Sequence, residues 1–366
     1  LAAHVAGNGG MGIISTAQIG FRDDDFYKNP IPANLRAIKT ELDKARALAA
    51  QVFEKFKDSN RAAKFLDKLK DYVPFIGFNI MVATNKYADY VIEAVKAGAD
   101  IIISGAGLPV DLPELVQKAQ EISDNEKRTC IAPIVSGRKS AKVILKMWDR
   151  KYKTTADAIV IEGPLAGGHL GFSYDELHEL GADTMASRNY KREKYDAEIK
   201  EIIEEVRIYE EKFGKKIPVF VAGGIYTRED IAHVISLGAD GVQMGTRFVV
   251  ADESIVNEAY KDRIIAAKDI DSAVTGRSHG HPVRSLRNAM TREYSKLEAE
   301  GKSFEELEYL TLGTLRKAVI EGDIVHGTVM AGQIAGLVSK KQSAKEIIDE
   351  IISEATNLLK NAGSLV

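Results

Sequence analysis

The stretch Ile217-Pro-Val-Phe-Val-Ala222-Gly-Gly-Ile-Tyr-Thr227-Arg-Glu-Asp230-Ile-Ala-His-Val-Ile-Ser-Leu-Gly238-Ala-Asp240-Gly-Val-Gln-Met-Gly-Thr246 decides the fold. An apolar run over Ile217–Ala222 gives way to two glycines. Thr227 is then followed three residues on by Asp230, the spacing with which a side chain at each position satisfies the other's free amide at a helix start. The helix stops at Gly238, where a residue without a Cβ accepts the left-handed turn that closes a helix. A second apolar run, Gly241–Thr246, follows. Strand, helix and strand in this order form a crossover between parallel strands.

Outward from this unit, the same alternation extends from Met11 to about Val250. Further strand-like runs are Met11–Ser15, Phe75–Val82, Ile101–Gly105, Thr129–Val135 and Ala158–Glu162. They are nearly continuous in apolar character and bounded by Gly or Pro, as in strands buried on both faces. The pattern Ala88–Gly98 is a one-faced helix that again stops at glycine. Gly98-Ala-Asp100 and Gly238-Ala-Asp240 both stand between a helix and a strand, a weak internal repeat of the βα unit.

Seven such units fit either a (β/α)8 TIM barrel short of one strand or an open doubly wound sheet. The helical Leu1–Ala6 favours the barrel, with the eighth strand expected upstream of Leu1. Long charged helices are expected over Ala33–Lys70 and Lys191–Lys212, their charges on solvated faces. From Ala251 helices dominate, with a polar segment near Asp271–Pro282. The expected organisation is an α/β barrel over residues 1–251, a smaller and mostly helical substrate-side domain over 252–323, and residues 324–366 packing back on the barrel. A last helix is expected over Ser343–Leu359.

Composition excludes several classes. Fifty Lys and Arg against 53 Asp and Glu leave a net charge of −3, which is no footprint for nucleic acid. The chain is 45% hydrophobic but no apolar run is long enough for a membrane span. The single cysteine, Cys130, excludes an internal disulfide and fits a reducing, cytoplasmic setting. It opens an apolar strand and reads as inert core.

Barrels build their sites from the loops that follow the strands. The last two such loops are Ala222-Gly223-Gly224-Ile225 and Met244-Gly245-Thr246-Arg247-Phe248. Their glycines leave backbone amides open to an anion, beside the positive end of the helix that starts near Thr227. The plainer reading is two tight turns, but the pair in adjacent final units favours a phosphate. After Ala158–Glu162 comes Gly163-Pro-Leu-Ala-Gly167-Gly168-His169-Leu-Gly171. His169, between glycines in an active-face loop, has no packing duty, and imidazole titrates near neutral pH.

The other histidines carry less. His4, His178 and His233 lie in helical patterns as surface or packing residues. His279 and His281 lack a Cys or carboxylate at ligand spacing, so a zinc site is not expected and a substrate-facing loop is. Asn79 ends an apolar strand and either satisfies local backbone or bonds a heterocycle edge. Ser104-Gly-Ala-Gly107 is a further close-approach loop. Gly7-Asn-Gly-Gly-Met-Gly12 precedes a strand instead of following one, so it is no dinucleotide fingerprint.

Taken together, Leu1–Ser15, Gly77–Val82, Ile102–Pro109, Ile161–Gly171, Val221–Ile225, Val242–Val250 and Val329–Val338 resemble the flavin-dependent nitronate monooxygenase (2-nitropropane dioxygenase) family. That family includes the FMN-type enoyl-[acyl-carrier-protein] reductases. The resemblance implies non-covalent FMN and His169 as the catalytic histidine. It implies that Gly223, Gly224, Gly245 and Thr246 hold the FMN phosphate. Asn79, Glu162, Gly167 and Gly168 would lie along the ribityl chain and ring, with Ser136 as a further flavin contact. The family's opening Gly-Gly-Met strand loop is absent, and Gly9-Gly10-Met11 does not replace it. The implied partners are a small-molecule nitronate and O2, or NAD(P)H and an enoyl thioester; quinone reduction is a third branch. A homodimer is compatible with it. Gly280-His-Pro-Val-Arg284 within Asp269–Arg292 resembles the reductase branch.

Overall fold

The computed structural model describes residues 1–57, 72–123, 125, 127–183 and 186–352. Seven parallel strands occur in it in sequential order: β1 (Met11–Ser15), β2 (Phe75–Met81), β3 (Ile101–Gly105), β4 (Cys130–Val135), β5 (Ile159–Glu162), then, past the two-residue β6 (Gly168–His169), β7 (Val219–Ala222) and β8 (Gly241–Gln243). Each strand lies beside the one before it in the sheet, with helix between them. A doubly wound sheet reverses direction at a switch point, and this order has none.

The strands fall where the apolar runs predict them, with trimmed ends. The largest trim is at β8, which ends at Gln243, so that Thr246 opens the short helix Thr246–Val249. The expected long helices are Pro30–Lys57 and Arg192–Phe213. Residues 58–70 of the first expectation lie outside the described residues. The final helix is present over 344–352, and its expected remainder also lies outside them.

The chain forms two compact units. The first is built from Leu1–Val160, Ile202–Val219 and the helical stretch from Ala344. Its ladder runs from Met11↔Phe75 to Ser15↔Asn79, then from Phe78↔Ile102 to Met81↔Gly105 and from Ile101↔Cys130 to Ser104↔Pro133. Ile76, Phe78, Ile80 and Ile102 are fully buried, as strands covered on both faces require. Helix Pro30–Lys57 turns Ile38, Leu42, Ala49 and Phe53 inward. Trp148 is wholly buried, and its indole N–H donates to the Pro109 carbonyl at 3.1 Å.

Buried aspartates tie this unit together at the N-terminal ends of its strands. Asp100 accepts the Ile76 amide at 2.7 Å and faces Arg46 and Lys127. Asp157 accepts the Ile131 amide at 2.8 Å, takes both Arg128 guanidinium nitrogens at 2.8 and 2.9 Å, and faces Lys215. Burial alone would raise the Asp157 pKa; the two cations and the amide outweigh it and hold it below the ordinary value.

The second unit is built from Ile161–Glu201 and Phe220–Ser343. Strands β7 and β8 pair in parallel, Phe220↔Gly241 to Ala222↔Gln243. The capping box is present as the spacing predicts: Thr227 Oγ1 accepts the Asp230 amide at 3.2 Å, and the Asp230 carboxylate accepts the Thr227 amide at 2.8 Å.

The segment near Asp271–Pro282 contributes to a β-ribbon, β9 (Ser272–Thr275) and β10 (Val283–Leu286), in a three-stranded antiparallel sheet ordered β6-β10-β9. Strands of two to four residues carry too short an alternation to stand out from loop sequence. Leu286 anchors the ribbon in a core with Tyr260, Ile264, Val329 and Ile334.

Candidate active site

Glu162, the last residue of β5, starts the loop that holds half of the candidate residues of the second unit. Its carboxylate accepts the Gly171 amide at 2.9 Å, and its carbonyl accepts the Tyr195 hydroxyl at 2.7 Å. Among the described residues no cation lies within ion-pair distance of it. Burial therefore dominates and pushes its pKa up to about 7, with the Gly171 amide opposing.

His169 lies on β6 and pairs with Val283 of β10, while Gly168 pairs with Arg284. The Leu170 amide continues the ladder by donating to the Pro282 carbonyl at 2.9 Å. The His169 side chain reaches solvent. Protein packed around the ring still lowers its pKa, first by desolvation and then by its electrostatic interaction with His281. The imidazole is consequently neutral at neutral pH and offers one nitrogen as acceptor and one as donor. His279 and His281 sit 5.9 and 5.4 Å from the Phe304 ring, measured between centroids.

The loop before His169 is held from several sides. Its carbonyls at Pro164 and Ala166 accept from the Arg284 guanidinium at 2.9 and 3.0 Å. The carbonyl between them, Leu165, accepts the Gln333 amide at 3.0 Å. Gly167 is required for contact: a Cβ there would lie 2.4 Å from the Ala331 carbonyl carbon and the Gly332 nitrogen.

Because Ala222 and Gln243 are register partners, the glycine loops after β7 and β8 leave the sheet side by side. Among the described residues, the amides of Gly224, Ile225, Gly245 and Thr246 find no protein acceptor. Gly224 has a φ of +83°, and a Cβ on Gly245 would meet nothing within 4 Å. Thr246 Oγ1 accepts the Gly332 amide at 2.8 Å, which leaves its proton free to donate elsewhere. Amides without a protein acceptor fit a phosphate.

Two candidate residues belong to the first unit. Asn79 is half-buried at the C-terminal end of β2; its carbonyl accepts from Thr16, and its carboxamide has no hydrogen-bond partner among the described residues. Ser136 directly follows β4, before the helix Arg138–Tyr152.

A sequence model of the nitronate monooxygenase family matches residues 1–354. The chain belongs to the nitronate monooxygenase family. Members of this family and its structural neighbours are oxidoreductases. A probable nitronate monooxygenase of Staphylococcus saprophyticus is 26% identical over 205 residues, covering 56% of this chain and 52% of the relative. One from Staphylococcus aureus is 29% identical over 208 residues, covering 57% and 53%. The chain thus spans about half the length of the curated relatives it matches. FabK from Thermotoga maritima is similar over 100% of this chain and 91% of its own, with a TM-score of 0.68 and 26% identity. A nitroalkane oxidase from Streptomyces ansochromogenes covers 99% and 92%, with a TM-score of 0.67 and 18% identity, and shares the fold. The fold of this family member is the TIM barrel. No helix among the described residues is long and apolar enough to cross a membrane.

Two features of this family member escape a reading of the sequence by motif. Arg284 is fully buried, although it sits in a polar stretch. A third Gly-Ala-Asp, Gly181–Asp183, ends helix Tyr174–Glu179 as the other two copies end theirs. At all three the glycine has positive φ and the following alanine amide bonds five residues back, to Ala94, Leu177 or Val234. Among the described residues no strand follows the third copy directly. Its Ala182 carbonyl accepts instead from Arg284, and Asp183 accepts from Tyr174 at 3.0 Å and bonds His178 at 3.0 Å.

Proposed function

We propose that the protein is an FMN-dependent nitronate monooxygenase that oxidises alkyl nitronates with O2 to carbonyl compounds and nitrite. The observation that carries the reading is a neutral, solvent-reaching His169 fixed on a strand, in a chain of this family. Bound FMN would supply the electron acceptor that links the nitronate to O2.

The chain's own residues have defined tasks. The Gly224, Ile225, Gly245 and Thr246 amides would hold the phosphate, with the Gly223 turn setting their direction. The Asn79 carboxamide, Ser136, Glu162 and the Gly167-Gly168 backbone would lie along the ribityl chain and ring. The His169 N–H would bond a nitronate oxygen, and its other nitrogen would accept the α-proton when a neutral nitroalkane binds. Residues 252–323 would cover the substrate.

A second reading is NAD(P)H-dependent reduction of an enoyl thioester. It is favoured by one feature: the Gly280–Arg284 segment, whose sequence resembles that branch, supplies the strand on which His169 is paired. Anaerobic mixing of the flavin-loaded protein with ethyl nitronate, NADH and NADPH separately distinguishes the two. Bleaching of the flavin absorbance by nitronate alone is the expected result. Rapid bleaching by a nicotinamide with no response to nitronate would replace the first reading by the second.

A further inference from the structure

We infer that Arg284 is a positioning residue that fixes the Pro164–His169 loop and thereby presents the Gly167 amide and the His169 imidazole in one arrangement. This rests on the proposed role of His169.

A guanidinium has five N–H donors in one plane, and Arg284 uses all five. Nε donates to the Ala166 carbonyl at 3.0 Å. Nη1 donates to Ser272 Oγ at 2.9 Å and Gln333 Oε1 at 3.0 Å. Nη2 donates to the Pro164 carbonyl at 2.9 Å and to the Ala182 carbonyl. The side chain is 0% exposed, and among the described residues no carboxylate lies within ion-pair distance of it. Burial pulls its pKa down to about 10, with Asp183 opposing, so the cation persists at neutral pH.

A buried cation hydrogen-bonded only to neutral acceptors adds little stability that an apolar side chain of similar volume would not, so its retention calls for another reason. Geometry supplies one. Arg284 grips the loop twice, through its side chain at Pro164 and Ala166 and through its backbone at Gly168. The Gln333 amide takes Leu165 between them, and Gln333 is itself oriented by Arg284 Nη1. Because peptide units are planar, holding the Ala166 carbonyl toward Arg284 turns the Gly167 N–H the opposite way. His169 then follows after one glycine. A lysine keeps the charge but brings three donors on a tetrahedral head, which cannot serve five coplanar acceptors.

The test is Arg284→Lys in the flavin-loaded full chain. Two quantities are read: steady-state kinetics with ethyl nitronate, and the His169 imidazole titration by NMR, assigned with His169→Ala. The expected result is a kcat at least about tenfold lower with KM changed less than about threefold, since orientation is lost and binding is not. The His169 titration is expected to rise by about 0.5 pH unit or more, because a loosened ring regains water. An unchanged titration overturns the inference, as does an unchanged kcat in the folded variant of an active protein. If the unsubstituted protein does not turn over nitronate, the proposed reaction falls, and the titration alone judges Arg284. If Arg284→Lys does not fold, Ser272→Ala, which removes one of the five acceptors, takes its place. A smaller rise in the titration is then expected, and none overturns the inference.

Discussion

Strand β5 has an acidic residue at each end, and the two are treated in opposite ways. Asp157, just before it, has a side chain only 7% exposed, with two cations and an amide. Glu162, at its far end, has one amide and, among the described residues, no cation. The first carboxylate is held ionised and joins neighbouring strands. The second is held near the point where it exchanges its proton at neutral pH. The contrast teaches that the charge placement of this chain divides by strand end: pairing at the N-terminal ends serves stability, and incomplete pairing at the C-terminal end leaves groups able to act.

The contrast can be broken most directly at Asp157. Asp157→Asn should destabilise by about 3 kcal/mol at neutral pH, because it removes a buried, hydrogen-bonded partner of two cations. Since the folded-state pKa is lowered, this stabilisation is present above the ordinary value of 3.8 and is lost as pH falls through the folded value. Denaturant midpoints from pH 7 to pH 3 should therefore show the gap between variant and parent closing. A gap independent of pH would remove the electrostatic account.

Glu162 should give the opposite sign. Its pKa rises from 4.5 to about 7 on folding, so the folded state binds the proton more tightly and loses stability as pH climbs through that window. Glu162→Gln cannot ionise and should gain about 2 kcal/mol over the parent by pH 8 in flavin-free protein, after allowing for its partial exposure. Little difference is expected at pH 4.5. Parallel stability curves for the two proteins would show that Glu162 has an unseen partner.

The smallest effect sharpens the picture of the phosphate loops. Gly245 has φ −112° and open space at its Cβ position, so Gly245→Ala should leave stability within about 0.5 kcal/mol. The added methyl would stand where a phosphate is proposed, and FMN affinity should fall about tenfold, equivalent to ~1.4 kcal/mol. Flavin titration checks this; undiminished affinity would move the phosphate elsewhere.

Much of the barrel is legible from residue order alone. Continuous apolar runs such as Ile101–Gly105, bounded by Gly or Pro, read as strands covered on both faces, and the glycines at 98 and 238 mark helix ends that the hydrogen bonds reproduce. The 223–224 and 245–246 loops follow from the rule that sites occupy the ends of strands, whereas Glu162 enters only as what the family resemblance implies. The ribbon of β6, β9 and β10 is not legible, because its strands draw their identity from pairing across distant segments. Arg284 is hidden for a related reason. Its burial depends on acceptors at 164, 166, 182, 272 and 333 that share no local pattern. The copy at Gly181–Asp183 is visible as letters, but its role emerges only when Ala182 meets that guanidinium.

The Arg284–Ala166 bond joins residues 118 apart in sequence. During synthesis the ladder of β1 to β4 can close through neighbouring segments, while His169 waits for a strand made much later. Closing so long a loop is costly in entropy and comes after the local pairings. The chemistry proposed for this protein would therefore be among the last things its folding completes, and a nascent chain carries its barrel strands well before it can hold this histidine still.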